Sequence, residues 1–412
     1  MTRYFISAWV WMAVFIAPAP AAEGPFWPQF HGPRRDNMSD DKGLLRQWPA
    51  EGPKLLWKAT GCGRGYASVS IAEGLLFTSG DIGSEQMVMA FDLEGNLRWK
   101  SANGLAWRGP QPGSRTTPTW HDGVVYHLNA HGILTAFEAK TGKRIWSVNV
   151  AQRFEARPGG WGYAENVIVE KDMVLCTPGG TRGRVVALDR RTGETIWANT
   201  EIADRAAYGS PIVVSHGGKR LFINFMNATV VGVDAATGKL LWTHKHPSTC
   251  DQNVTRPLYH DGCVFVTSGH RGGGRWLRLD AAGGEARELW FDRDFDNCHG
   301  GVMLLDGHLY FSGCRLYNKG LICVDVSTGK RLYRAEEIGK VSITWAERLL
   351  YCLGNDGEVL LVDPAPGGAR IISRFALPRT DRENTLAHPV VCGRRLYLRH
   401  LDQLWAYDIA AQ

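Results

Sequence analysis

The 412-residue sequence has no C-x-x-C, no C-x-x-C-H and no two adjacent cysteines. The first absence removes the usual thiol redox pair and the second removes covalently attached haem. It also lacks G-x-S-x-G and H-E-x-x-H, so neither a nucleophile elbow nor a zinc-protease helix is written into the chain. Charge of one sign is missing as well. The 47 Lys and Arg nearly balance 41 Asp and Glu, and the net +6 is spread along the chain without the basic stripe of a nucleic-acid binder. No nucleic-acid partner is expected. After residue 22 nothing reads as a membrane span, which would need about 20 apolar residues. The nine cysteines are an odd number, and several sit in strand-like strings ("VLCTP", "GCVFV", "LYCLG", "VVCGR") where Cys serves as a small buried hydrophobe. Most are expected to be buried free thiols.

What is present begins with residues 1–22, "MTRYFISAWVWMAVFIAPAPAA". Arg3, an apolar stretch and an Ala19-Pro20-Ala21 end are the layout of a cleaved secretion signal. The expectation is therefore an exported chain, periplasmic or extracellular. No Cys follows within reach for a bacterial lipid anchor. Residues 23–52 are rich in Pro, Gly and charge and predict an irregular extension wrapping the surface.

From 53 to 412 one string recurs. It reads "EAKTGKRIW" at 138–146, "DRRTGETIW" at 189–197, "DAATGKLLW" at 234–242 and "DVSTGKRLY" at 325–333, with looser copies at 92–99, 280–290 and 363–375. The closing aromatics Trp57, Trp99, Trp146, Trp197, Trp242, Trp290, Tyr333 and Phe375 are 42 to 51 residues apart. An acid that accepts from backbone N–H groups just ahead of it, then Thr and a Gly free to take positive φ, closes a short hairpin. Three further strand signals precede each such turn, which makes four strands per repeat, the blade of a β-propeller. The count predicts an all-β, eight-bladed propeller of four-stranded antiparallel blades. The chain after Phe375 supplies only three strands, so "PKLLWKA" from 53 is predicted to complete the last blade and close the ring without an exposed edge. A single propeller domain, monomeric, is expected.

In such a blade the Thr-Gly turns fall on one face and the blade-to-blade crossings on the other. The longest crossings are 101–118, 148–166, 244–257 and 291–301, and they deliver residues to the mouth of the central channel, the default pocket of this fold. The residues predicted there are Tyr66, Arg115, Trp161, Glu165, Tyr208, Asn253, Arg256, His299, Lys340 and His388. Trp161 with Arg115, Lys340 and Asn253 suits an anionic planar ligand, by stacking and charge-assisted hydrogen bonds. No metal-ligand motif is legible; "HKH" at 244–246 lacks a third ligand nearby and reads as a solvated strand end.

The strings "VVALDRRTGETIW", "VVGVDAATGKLLW" and "LICVDVSTGKRLY" resemble the tryptophan-docking repeats of the pyrroloquinoline quinone (PQQ) β-propeller superfamily. The resemblance covers 53–412. That superfamily includes PQQ-dependent alcohol dehydrogenases and the non-catalytic outer-membrane assembly protein BamB. "FWPQFHGPRR", "WGYAENVIV", "HGGVMLLDGHLY" and "AHPVVCGRRLYLR" are similar to exported PQQ-like propeller proteins of planctomycete-type bacteria. The resemblance implies either a binding or scaffolding propeller, engaging a protein or small planar ligand at the mouth without catalysis, or a PQQ- and calcium-dependent oxidoreductase. Cofactor contacts would fall to Arg115, Trp161, Glu165, Tyr208, Asn253, His299, Lys340 and His388. The dehydrogenases' adjacent-Cys disulfide is absent, and their metal-binding and catalytic Asp have no match by motif. The lipid-attachment Cys of BamB is missing too.

Overall fold

In the computed structural model, residues 24–248, 252–314 and 318–411 are described. The expected secretion signal therefore lies outside them, as does Cys250. The described residues form eight four-stranded antiparallel sheets, joined in sequence as blades 70–105, 119–149, 168–199, 212–245, 258–292, 302–335 and 341–376, with the eighth built from 390–408 and the N-terminal strand Lys54–Ala59. That strand pairs antiparallel with Gln403–Asp408, Lys54 opposite Asp408 and Ala59 opposite Leu404. The ring is closed as the strand count predicts. No helix among the described residues is long and apolar enough to cross a membrane.

The recurring nine residues work on two scales. Within a blade, Asp234 Oδ1 accepts from the N–H groups of Ala236 and Thr237 at 2.9 and 3.1 Å, and Thr237 Oγ1 accepts from Lys239 N at 3.3 Å. Asp189 and Asp325 repeat this arrangement. Between blades, the closing Trp docks on the Thr-Gly turn of the next blade. Trp99 Nε1 donates to Ala139 O at 2.8 Å and Trp146 Nε1 to Arg190 O at 2.9 Å. The looser turn at 280–286 breaks the rule: Gly283 meets Leu221 and His216 instead of Trp242, whose Nε1 is buried without a partner. Eight apolar clusters result, each shared by two neighbouring blades. The one joining Ile71, Leu76 and Met89 to Val390, Tyr397 and Leu404 seals blade one to blade eight.

A glycine is required where the Trp docks. Gly142 has φ 71°, and a Cβ there would lie 2.4 Å from the Trp99 ring. Gly123 has a similar φ of 75° but open space around it. Gly142→Ala is therefore expected to cost about 2–3 kcal/mol, against about 1 kcal/mol for Gly123→Ala, which carries only the left-handed backbone penalty. Equal denaturation midpoints for the two variants would show that the Trp dock contributes nothing.

The extension departs from the expected surface wrap. It is irregular, but residues 27–39 thread the central channel. Trp27 exchanges backbone hydrogen bonds with Ile71 of the first inner strand, and Pro28 O accepts from Trp120 N of the second. Arg35 donates to Asn166 O and Val167 O, and the Asn37 side chain donates to Ile343 O. On leaving, the chain crosses the turn face, where Glu347 accepts from Gly43 and Leu44, and Leu44 and Trp48 are buried between blades seven and eight. An inner-strand channel lined by backbone and small polar groups has unsatisfied donors and acceptors that this segment occupies. His246 also differs from expectation: it is buried, accepting from Arg275 Nε at 2.9 Å.

Candidate functional site

Because the extension enters from the Thr-Gly face, it forms a floor, and the channel mouth above it becomes a cavity of about 340 Å³ opening on the crossing face. The floor is Phe30 and His31. Their fixing reads as one directional chain of hydrogen bonds. Arg256 Nε donates to His31 Nδ1 at 3.2 Å, His31 Nε2 lies 3.1 Å from His388 Nδ1, and His388 Nε2 lies 2.6 Å from the His299 carbonyl. A carbonyl only accepts, so His388 Nε2 carries the proton, its Nδ1 accepts, and His31 Nε2 donates. Both imidazoles are thereby neutral. Burial agrees: it pushes His31 well below its usual pKa and His388 down to about 4, with Arg256 close by adding repulsion.

The walls carry cations and aromatics. Arg115 is anchored by donating to the carbonyls of Gly113, Pro110 and Gln111 and lies 5.5 Å from the Trp107 ring centre; burial brings its pKa down to about 10. Burial likewise lowers Lys340. No hydrogen-bond acceptor for the Lys340 ammonium occurs among the described residues. His299, pushed to about 3 by burial and then by Lys340 and His388, turns Nε2 to Asn355 Oδ1 at 3.1 Å. Tyr66, Trp161 and Tyr208 complete the apolar side. Among the described lining residues there is no carboxylate.

The structure thus brings Tyr66, Arg115, Trp161, Tyr208, Arg256, His299, Lys340 and His388 to one cavity. It does not bring Glu165 or Asn253 there. Glu165 is buried behind the wall with both carboxylate oxygens on Thr177 N at 3.1 Å, and burial raises its pKa to about 8. Asn253 donates to Met226 O and Asn227 O at 2.7 and 2.8 Å. Calcium needs six to eight oxygen ligands, usually including carboxylates, and with Glu165 and Asn253 turned away the described lining does not fit that ion. The cationic lining does have the sign of charge that a planar polycarboxylate such as PQQ would need. Sequence reasoning missed Phe30, His31, Asn355 and the Cys298–Cys314 disulfide that also lines the cavity. The signal for the first two was there in principle: Trp27, Phe30 and Trp48 are large apolar residues for a solvated segment. The remaining described cysteines, 62, 176, 263, 323, 352 and 392, are buried and free, as the strand strings suggest.

Fold and cavity together define an eight-bladed propeller whose channel mouth is a cationic, aromatic-lined pocket sealed from below by its own N-terminal segment. The family described as outer membrane protein assembly factor BamB matches residues 37–179 and 84–335, well over half of the chain, and the chain belongs to that family. Among curated proteins, it is 31% identical over 144 residues to a quinoprotein ethanol dehydrogenase of Pseudomonas aeruginosa, covering 32% of this chain and 23% of that one. It is 20% identical over 274 residues to BamB of Shewanella oneidensis, covering 62% and 65%. The match thus spans less than a quarter of the ethanol dehydrogenase. Of solved structures, the quinohemoprotein alcohol dehydrogenase of Comamonas testosteroni superposes with TM-score 0.67 at 14% identity over 96% of this chain and 82% of that one. BamB of Moraxella catarrhalis gives 0.62 at 16% over 87% and 98%. At such identities these two likenesses speak for the fold alone.

Proposed function

We propose that this chain is an exported binding propeller that takes a small planar anion in its crossing-face cavity, without turning it over. The observation that carries this reading is the charge of the lining: Arg115, Arg256 and Lys340 face a volume of about 340 Å³ with no carboxylate among the described residues. The neutral imidazoles of His31 and His388, their ring nitrogens already paired with Arg256, each other and the His299 carbonyl, floor the cavity without adding charge, and the aromatic rings of Trp161 and Tyr208 supply faces for stacking. Lys340, lacking an acceptor, is the group an anion would satisfy. The quinoprotein relatives support a flat polycarboxylate such as PQQ as one occupant, and the BamB relatives, named for outer membrane protein assembly, support a protein partner.

Calorimetric titration with PQQ and with a non-quinone aromatic tricarboxylate checks the proposal. One charge-assisted hydrogen bond contributes roughly 1.5–3 kcal/mol, so Lys340→Met should weaken binding by about 10- to 100-fold. Absence of binding by either compound at millimolar concentration, or binding that Lys340→Met leaves unchanged, would refute it. The oxidoreductase reading makes the opposite prediction for turnover: PQQ-loaded protein would reduce a dye with a primary alcohol as donor, and more so with calcium added.

A further inference from the structure

The cavity wall carries a second cluster, which does not depend on the anion reading. His270, Cys298 and Cys314 offer one imidazole nitrogen and two sulfurs within 4.8 Å of one another. The two sulfurs form a disulfide between residues 16 apart in sequence. We propose that, once reduced, this trio is a binding site for a soft or borderline metal ion, zinc(II) or copper(I), so that the pair alternates between a disulfide and a metal-bound dithiolate.

Three observations carry it. The ligand types are those that select such metals: thiolates prefer copper(I) and zinc, imidazole suits both, and three protein ligands with an open fourth position are the arrangement of a reactive zinc site. The open position would face the cavity, since all three residues line it. Next, the three loops that carry the trio are tied together by one carboxylate. Asp296, itself buried, accepts from Arg271 N at 3.2 Å beside His270, from Cys314 N at 3.4 Å and from Asn318 Nδ2 at 2.6 Å. Outer partners of this kind hold ligands in place when the bond between them is gone. Finally, the backbone is shaped to the pair. A Cβ at Gly269 would lie 2.7 Å from Cys298 Sγ and 3.1 Å from Cys314 Sγ, and His270 takes a left-handed φ of 58°, an uncommon conformation for a residue other than Gly, while an imidazole nitrogen of it lies within 4.8 Å of both sulfurs.

The chemistry balances with an external dithiol as reductant. Its thiolate attacks one sulfur of the Cys298–Cys314 bond, that bond breaks, and the reductant departs as its own disulfide, leaving two protein thiols. Metal binding then releases one proton from each thiol to solvent, while His270 contributes a neutral lone pair. Reoxidation by an external disulfide, which takes the two electrons by thiol–disulfide exchange and departs as its dithiol, would re-form the Cys298–Cys314 bond and expel the metal.

Cobalt(II) is the probe, because thiolate coordination gives it a sulfur-to-metal charge-transfer band and tetrahedral geometry intensifies its visible absorption. Protein reduced with a phosphine and freed of it should bind one cobalt(II) with that band, and zinc(II) should displace it. Oxidised protein should show no band. Cys298→Ser and Cys314→Ser should abolish the band although six other described cysteines remain. Loss of an outer-shell partner alone typically weakens metal binding about 10- to 100-fold, so His270→Ala, which removes a ligand, should weaken it at least as much. Two results overturn the proposal whichever variants fold: a reduced wild-type chain that shows no band, folded or not, or a band that persists in the Cys298→Ser/Cys314→Ser double variant.

Discussion

A chain shortened to begin at residue 60 is expected to lose cooperative folding, whereas one beginning at residue 41 is expected to fold and to lose its ligand cavity. The two cuts separate the closing strand from the channel plug. The first removes Lys54–Ala59, whose six residues cover the edge strand Gln403–Asp408. It also removes Trp57, which donates to Leu93 O at 2.8 Å in the turn of the first blade. The joint between blades eight and one thus loses its Trp dock and exposes a strand edge, the usual route to aggregation. Because a ring shares its strain among all interfaces, an open joint is not confined to one blade. The second cut leaves that joint, and with it Leu44 and Trp48 between blades seven and eight, and takes out only the segment that carries Phe30, His31, Arg35 and Asn37. Arg256 then loses its acceptor on His31, and the cavity opens into the channel. Anion affinity should fall at least about tenfold, with a lowered but single melting transition. Scanning calorimetry on both truncations reads the outcome. If the shorter chain melts like the longer one, the ring does not need its closing strand.

The contrast between those two segments shows what could be read from residues alone. The closing strand was legible because it obeys the period: Trp57 stands 42 residues before Trp99, and a three-stranded final blade needs a fourth strand. The plug obeys no period. Arg35 finds its acceptors 131 and 132 residues away and Asn37 finds one 306 residues away, and no local propensity encodes partners that far off. The two mouth residues that turned away are instructive in another way. Glu165 lies between Ala164 and Asn166, and Asn253 between Gln252 and Val254; all four neighbours line the cavity. The crossing was located correctly and the side was not, because adjacent residues of extended chain point to opposite faces and a slip of one inverts the assignment. The Cys298–Cys314 pairing had no signal either, since the two residues come from different connections of one blade neighbourhood and carry no motif spacing.

Acid is expected to unfold this protein well before ordinary carboxylates protonate. Five buried histidines have their pKa lowered chiefly by burial: His127, His246 and His299 to about 3, His388 to about 4, and His31 well below its usual value. In four of them a ring nitrogen accepts and so fixes the imidazole as neutral: His31 accepts from Arg256, His127 from Asn103 Nδ2, His246 from Arg275 Nε and His388 from His31. In the unfolded chain each would titrate near 6.5, so as pH falls below that value the unfolded state takes up protons that the folded state refuses. Stability contributed by these groups is complete above about pH 6.5 and is lost as pH falls toward 4. Glu165 acts in the opposite sense. Its folded pKa of about 8 lies above the usual 4.5, so between those values the folded state holds a proton the unfolded state lacks. Five protons against one leaves about four. Each is worth somewhat more than ~1 kcal/mol per pH unit, and the sum over the interval from about pH 6.5 to pH 5 is several kcal/mol, against a total of about 5–15 kcal/mol for ordinary domains. Urea midpoints should therefore drop steeply between pH 7 and pH 5, and His127→Asn should flatten that slope by about one proton whatever it does to the level. A stability that stays flat across this interval would mean that the imidazoles are protonated in the folded ring, and the one-way hydrogen-bond chain from Arg256 through His31 and His388 could not be as drawn.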